Sequence, residues 1–417
     1  MHELPAMHVE RSATAWAMPL VLALGAIAYV YRLPLGFGNV SVFRAAGFLS
    51  LVLVSVRMMV SPICEVHSLA RRMFLPVYLS GAITLVAASE IAFGSMPAGY
   101  EGDVLVQTMN LVIFLFFVAY IHDQETIRRV VHAYIVVSFV EAIVAIHSYL
   151  TGSLMFGGWV AERGAEYYSD LALVNEAGGL RRLTGTFYDP NFYGIYLCSV
   201  VAVSAWALLH MRRSRFALLA VPLSIGLIFL TASRTAMLGL IAVGFTLFWF
   251  EARARRFVIR SAFVVLPLMA VISYVFSEMP LLERVLSGES VGDRMAFFAR
   301  GIDAFMLAPV FGSGTHALID PDSGYATAHM LYLTVLGKFG LVGAVAYAAF
   351  IFSPLLVRPG KVSRANRSLA ALCILPMAAM YLGYDYFQFL ELQYLVFAIA
   401  YAAVTVEHGT RRIANTP

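Results

Sequence analysis

Charge is scarce in this chain. Asp, Glu, Lys and Arg make up 13% of its 417 residues, whereas 60% are apolar and the mean hydropathy is +0.79. Soluble domains carry about a quarter charged residues, so the deficit excludes an ordinary soluble fold. Cysteine is scarcer still. Cys64, Cys198 and Cys373 each lie in or beside an apolar run, without metal-ligand spacing. That excludes a disulfide framework and offers no cysteine-based metal site. Basic residues exceed acidic ones only slightly, 29 against 25, and nothing points to a nucleic-acid partner. Low-complexity tracts, heptad arrays and short repeats are missing. So are the matched Gly/Pro-broken helices of inverted-repeat transporters.

Long apolar runs fill the chain instead. Runs of spanning length occur at roughly 14–31, 42–60, 73–93, 104–121, 130–150, 191–210, 215–231, 235–250, 257–277, 328–352, 367–383 and 387–406. They predict an all-α integral membrane protein with about twelve transmembrane helices, a single polytopic domain over residues 1–417. The first run resembles a signal peptide, with Arg11 ahead of it and Ala-Ile-Ala at 26–28. Its continuation through Tyr31 favours an uncleaved helix. Arg11, Arg71, Arg72, Arg128, Arg129, Arg212, Arg213, Arg215, Arg253, Arg255, Arg256, Arg358, Lys361, Arg364, Arg367, Arg411 and Arg412 fall on one side of the alternating path. The positive-inside rule places that side, with both termini, in the cytoplasm.

The opposite side holds the stretch 151–190, the tight turn at 232–235, the loop 278–327 and the YDYFQ turn at 384–388. In the 278–327 loop, GDRMAFFARGIDAFML repeats apolar residues at helical spacing between charges. This predicts a short amphipathic helix on the outer surface, ending at Pro309.

Four chemically loaded pieces share that outer side: RRLTGTFYDPN (181–191), TASRTA (231–236), GDRMAFFAR (292–300) and ATAHMLYL (326–333). An arginine in mid-membrane costs at least about 2.5 kcal/mol. Arg234 sits instead in an outer turn, where the positive-inside rule disfavours it, so a function is the better reading. Guanidinium groups suit an anion, because they grip phosphate oxygens through paired charge-assisted hydrogen bonds. Arg234 and Arg294 are the first candidates for that grip. His329 is the candidate general base, its imidazole titrating near neutrality and held neutral by adjacent cations. Arg182, Asp189, Asn191, Arg300 and His316 are secondary candidates for substrate contact. Asp189-Pro190-Asn191 also reads as a helix N-cap. No carboxylate cluster or histidine pair suggests a metal. Glu141, in the middle of a predicted span, is expected to find a partner inside the bundle, with His147 one candidate.

Taken in order, RLTGTFYDPNFYG, TASRTAMLGL, GDRMAFFARGIDAFMLAPVFGSG and AHMLYLTVLGKFGLVG cover about residues 181–352. This series resembles the O-antigen ligase and O-antigen polymerase superfamily of bacterial membrane glycosyltransferases. The resemblance implies transfer of a glycan from an undecaprenyl-pyrophosphate donor to an acceptor sugar hydroxyl, without metal or cofactor. The site would face the periplasm from the bacterial cytoplasmic membrane. Matched onto this chain, Arg234 and Arg294 hold the pyrophosphate and His329 takes the hydroxyl proton. The family often has Asn after that histidine, where this chain has Met330. Tyr332, Leu333, Gly340 and Gly343 keep the remaining pattern. The departure, together with FYDPN, leans toward a repeat-unit polymerase over a ligase that delivers the glycan to lipid A core. Expected partners are the lipid-linked glycan, an acceptor glycan or lipid A core, the bilayer and other envelope polysaccharide assembly proteins. Readings of other classes are a transporter or flippase of a lipid-linked or anionic substrate, and a structural partner in envelope assembly.

Overall fold

The structure is a computed structural model that describes residues 32–35, 38–41, 52, 101–121, 123–152, 182–187, 189–211, 214–256, 259, 289–319, 328–357, 362–384 and 391–406. The spans expected at 14–31, 42–60, 73–93 and 257–277 lie wholly or almost wholly outside these residues. So do both termini, most of the stretch 151–190 and much of the 278–327 loop.

Each of the other eight apolar runs becomes a helix: α1 Glu101–Tyr120, α2 Gln124–Thr151, α3 Pro190–His210, α4 Arg215–Thr231, α5 Arg234–Phe250, α7 Leu331–Phe352, α8 Arg364–Met380 and α9 Glu391–Thr405. Between α5 and α7 lies α6, Glu289–Leu307, the amphipathic helix expected from GDRMAFFARGIDAFML. An antiparallel hairpin, β1 Arg32–Leu35 and β2 Gly38–Ser41, accompanies the helices, and residues 252–256 are also helical. By length and apolarity, Gln124–Thr151, Pro190–His210 and Leu331–Leu356 are each sufficient to cross a membrane. Helices α4 and α5 are apolar but only 17 residues each, at the lower limit of about 17 for a span.

Polar side chains at run boundaries start these helices. Asp123 accepts the Thr126 N–H at 2.7 Å to open α2, which closes on Gly152 at φ 74°. Asp189 opens α3 with Pro190 in the first turn, Ser233 opens α5 and Ser363 opens α8. Helix α3 is the hub, packing against α2, α4, α5 and α8, while α8 also meets α5 and α9, and α9 meets α1. Tyr193, Tyr196, Leu197, Val200 and Trp206 of α3 are almost wholly enclosed. A Cβ on Gly194 would stand 2.6 Å from the Ala236 Cβ, so a missing side chain lets the first turns of α3 and α5 touch.

The ends of the bundle differ chemically. At one end, His210 Nε2 lies 2.7 Å from Glu251 Oε1, and Trp206 Nε1 donates to the Ala365 carbonyl at 2.8 Å. This joins the ends of α3 and α5 to the start of α8, beside the arginines at 215, 253, 255, 256, 364 and 367. The starts of α3 and α5 and the ends of α4 and α8 meet at the other end.

Helix α7 is broken at Gly340, whose φ of 61° and ψ of −163° are not helical. The segment following α6 is laced into the break. Leu341 N–H donates to the Pro309 carbonyl at 2.9 Å and Val342 N–H to Val310 at 3.1 Å. In return, Ser313 N–H donates to Gly337 at 2.9 Å and Gly314 N–H to Lys338 at 3.2 Å. The backbone groups freed by the break thus find partners without water, as a low-dielectric setting requires. A Cβ on Gly340 would fall 2.4 Å from the Val310 carbonyl oxygen. Gly340→Ala should therefore destabilise the protein by about 1–3 kcal/mol from backbone strain alone. Thermal unfolding in detergent should show a lower midpoint for it, but not for Gly244→Ala, where an added Cβ meets nothing within 4 Å.

Candidate functional site

At the end of the bundle where α3 and α5 begin, two loops are stitched together. Asp189 caps α3 by accepting the Asn191 N–H at 2.6 Å. The Asn191 side-chain oxygen accepts the Ser233 hydroxyl at 2.8 Å, and Ser233 in turn accepts the Ala236 N–H at 3.2 Å to cap α5. Arg182, buried, donates through Nε to the Thr231 carbonyl at 2.8 Å. Its Nη2 reaches the Ala232 carbonyl at 3.4 Å and Asn191 Oδ1 at 3.5 Å. Its guanidinium thereby closes the C-terminal end of α4, whose last carbonyls lack helical donors. Arg234, the first residue of α5, emerges directly from this knot.

The loop bearing Arg182 and Asp189 rests on Glu141. The Glu141 carboxylate accepts the Thr186 N–H at 2.8 Å and the Thr186 hydroxyl at 3.1 Å. The expected internal partner is thus a loop amide and hydroxyl rather than His147. A carboxylate sealed in a helix bundle needs donors directed at it, and a tight turn at Gly185, φ 58°, supplies two together.

Arg294, half-buried on α6, donates through Nη1 to the Gly383 carbonyl at 3.4 Å, an oxygen that also accepts the Thr235 hydroxyl at 3.4 Å. Burial holds the Arg294 guanidinium below its ordinary pKa, and the nearby Arg234 charge pushes the same way, while Tyr384 and Asp189 act oppositely. The Arg294 guanidinium thus senses a second cation and a carboxylate, each at the start of a different helix. Tyr384 donates its hydroxyl to Asp189 Oδ2 at 2.7 Å.

His329 completes the group. Its ring stands edge-on to Phe297 of α6 with centroids 4.2 Å apart, and 6.4 Å from the Tyr384 ring, which packs at 5.4 Å on Phe192 of α3. Two non-glycine residues among those described have positive φ: Ala232 at 48° and His329 at 52°. Both lie in this cluster, the first immediately before the α5 cap and the second immediately before Met330, the cap of α7. Histidine tolerates the left-handed region better than most residues, yet such strain concentrates where side-chain direction matters.

The structure therefore brings Arg182, Asp189, Asn191, Arg234, Arg294 and His329 to one end of the bundle. Arg300 also lies over the Phe297 ring, its guanidinium carbon 5.2 Å from the centroid. His316 opens a short 3₁₀ turn, His316–Leu318, and is exposed, sharing no hydrogen bond with the cluster among the described residues. Sequence reasoning missed Tyr384, Phe297 and the Gly383 carbonyl. The available signal was the YDYFQ turn, which alternation of the apolar runs puts on the same side as the arginines.

The N-terminal ends of α3, α5 and α7 meet here with the C-terminal ends of α4 and α8, so the helix dipoles offset one another and the positive potential rests on the guanidinium groups. The arrangement can bind a multiply charged anion, with an imidazole beside it to accept a proton.

Residues 218–348 match the family model described as O-antigen ligase. The matched segment contains Arg234, Arg294 and His329, whereas Arg182, Asp189, Asn191 and Tyr384 fall outside it. No curated protein matches the chain. The motif series read from the sequence and this match agree on the O-antigen ligase and polymerase superfamily.

Proposed function

We propose that this chain, whose residues 218–348 match the family model described as O-antigen ligase, is a membrane glycosyltransferase with a lipid-pyrophosphate donor. It moves a glycan from undecaprenyl pyrophosphate to an acceptor sugar hydroxyl, most simply as a repeat-unit polymerase. The observation that carries the reading is the meeting of Arg234, Arg294 and His329, distant along the chain, at one end of the bundle.

In this reading Arg234 and Arg294 clamp the donor diphosphate, and His329 accepts the proton of the attacking hydroxyl. The new bond forms between that oxygen and the anomeric carbon, as the bond from the anomeric carbon to the phosphate oxygen breaks. The departing diphosphate gains charge, and fixed guanidinium groups in a water-poor site stabilise it more than they stabilise the bound donor. Its low basicity removes the need for an acid. The proton on His329 then passes to water. Asp189 and Asn191 hold the loop that frames the site, with Arg182 locking it to α4. Arg300 and His316 stand as secondary contacts for sugars or headgroups, and α6 lies along the outer membrane surface. The sidedness rests on charge. The opposite end of the bundle carries the cluster of arginines that the positive-inside rule assigns to the cytoplasm, which leaves this end to the periplasm.

The ligase reading has the description of the matched family in its favour. Met330, where ligase-like sequences often have Asn, favours the polymerase. A transporter reading would need Glu141 as a pathway residue, but that carboxylate is engaged with Thr186 under the site loop. Purified protein given an undecaprenyl-pyrophosphate oligosaccharide alone should build a ladder on a gel. A single shifted band, formed only when lipid A core is added, would make it a ligase. No product in either tube, with donor crossing a vesicle bilayer, would overturn the transferase reading.

A further inference from the structure

We infer that Tyr384 is a positioning residue that keeps the Asp189 carboxylate away from the arginine clamp and backs the ring of His329. The inference rests on the transferase reading above.

Asp189 is a carboxylate within electrostatic reach of Arg294, which in turn senses Arg234. Left to rotate, it would pair with one of them and cancel part of the charge meant for a diphosphate. Instead, both of its oxygens are engaged: Oδ1 accepts the Asn191 N–H at 2.6 Å, and Oδ2 accepts the Tyr384 hydroxyl at 2.7 Å. The phenol comes from the far end of the chain, 195 residues on, and is buried at 7% exposure. Arg294 feels both groups, since Tyr384 and Asp189 each act on its charge. Holding the carboxylate near the clamp but turned toward a neutral donor leaves the arginines oriented by its field without being neutralised by it.

The ring has a second task. His329 sits at φ 52°, and its imidazole contacts Phe297 at 4.2 Å and Tyr384 at 6.4 Å between ring centroids. The turn carrying Tyr384 is anchored to the same element, because Leu331 N–H, two residues beyond His329, donates to the Tyr381 carbonyl at 3.2 Å. Tyr332 also donates its hydroxyl to the Ala378 carbonyl at 2.8 Å. One turn therefore sets the register of the base against the clamp.

The two tasks separate experimentally. Tyr384→Phe keeps the ring and frees Asp189, so KM for the lipid-pyrophosphate donor should rise about tenfold, the scale of one hydrogen bond to a charged group, with kcat little changed. Adding Asp189→Asn removes the competing charge while keeping an N-capping side chain, so the double variant should recover most of the donor KM. Tyr384→Ala should also lower kcat, having lost the ring behind His329. Recovery in the double variant, which carries the same loss at 384, rules out misfolding as the cause. An unchanged donor KM in Tyr384→Phe, or a double variant worse than either single one, would overturn the inference while an active wild type leaves the transferase reading intact. Absence of transfer by the wild type would instead defeat that underlying reading.

Discussion

His329→Asn is expected to lower the rate of glycan transfer by about a hundredfold to ten-thousandfold, the range for losing a general base. Asparagine is the informative replacement because the position has φ 52°, a left-handed conformation that Asn adopts readily and Ala does not. The variant should therefore fold and keep the Phe297 side of the site filled. Its residual rate should also lose the acid limb of the pH profile. In the wild type that limb reflects protonation of the base, which can then no longer accept the hydroxyl proton. Single-turnover transfer across pH, with protein amount and melting temperature as controls, checks both points. A wild-type rate in His329→Asn would mean that the proton goes elsewhere.

The second large effect belongs to Arg234. Arg234→Ala should reduce kcat/KM by about a hundredfold to a thousandfold, comparable to removing a preorganised donor from a developing anion. Arg234→Lys should recover only part of the loss, because an ammonium is a point charge that cannot make the paired contacts of a planar fork. The residue begins α5 immediately after a capped, strained turn, so its backbone is fixed by Ser233 and Ala232 rather than by the substrate. Preorganisation of that kind makes the cost of its loss appear in the transition state rather than in ground-state binding alone. Steady-state kinetics with varied donor should show it. Equal rates for Arg234→Ala and wild type would leave the positive charge on this face unexplained.

Much of the helical framework could be read from the apolar runs, because a spanning helix announces itself by length and composition. The arginines of these turns could be read too, since the positive-inside rule disfavours positive charge on the side to which the alternating apolar runs assign them. The break in α7 could not. LGKFGLVG looks like an uninterrupted span, and only the docking of 309–314 against it gives Gly340 its non-helical backbone. Glu141 was conspicuous, but its partner was not, because Thr186 lies 45 residues away on a loop whose shape no periodicity encodes. Tyr384 was invisible for a similar reason. A tyrosine in a membrane turn is an ordinary interfacial anchor, and its bond to Asp189 exists only once α3 and α8 are packed side by side. Local pattern thus singled out the candidate cations and the candidate base, while tertiary contact alone reveals what holds them in register.

The central claim is that Arg234 and Arg294 grip a diphosphate independently of the proton transfer at His329. Equilibrium binding of a polyprenyl pyrophosphate and of the matching monophosphate to wild type, His329→Asn and Arg234→Ala tests it most directly. The account predicts tighter binding of the pyrophosphate to wild type, the same preference in the transfer-dead His329→Asn, and its loss in Arg234→Ala. Equal affinity for both lipids in wild type, or an undiminished preference in Arg234→Ala, would contradict it.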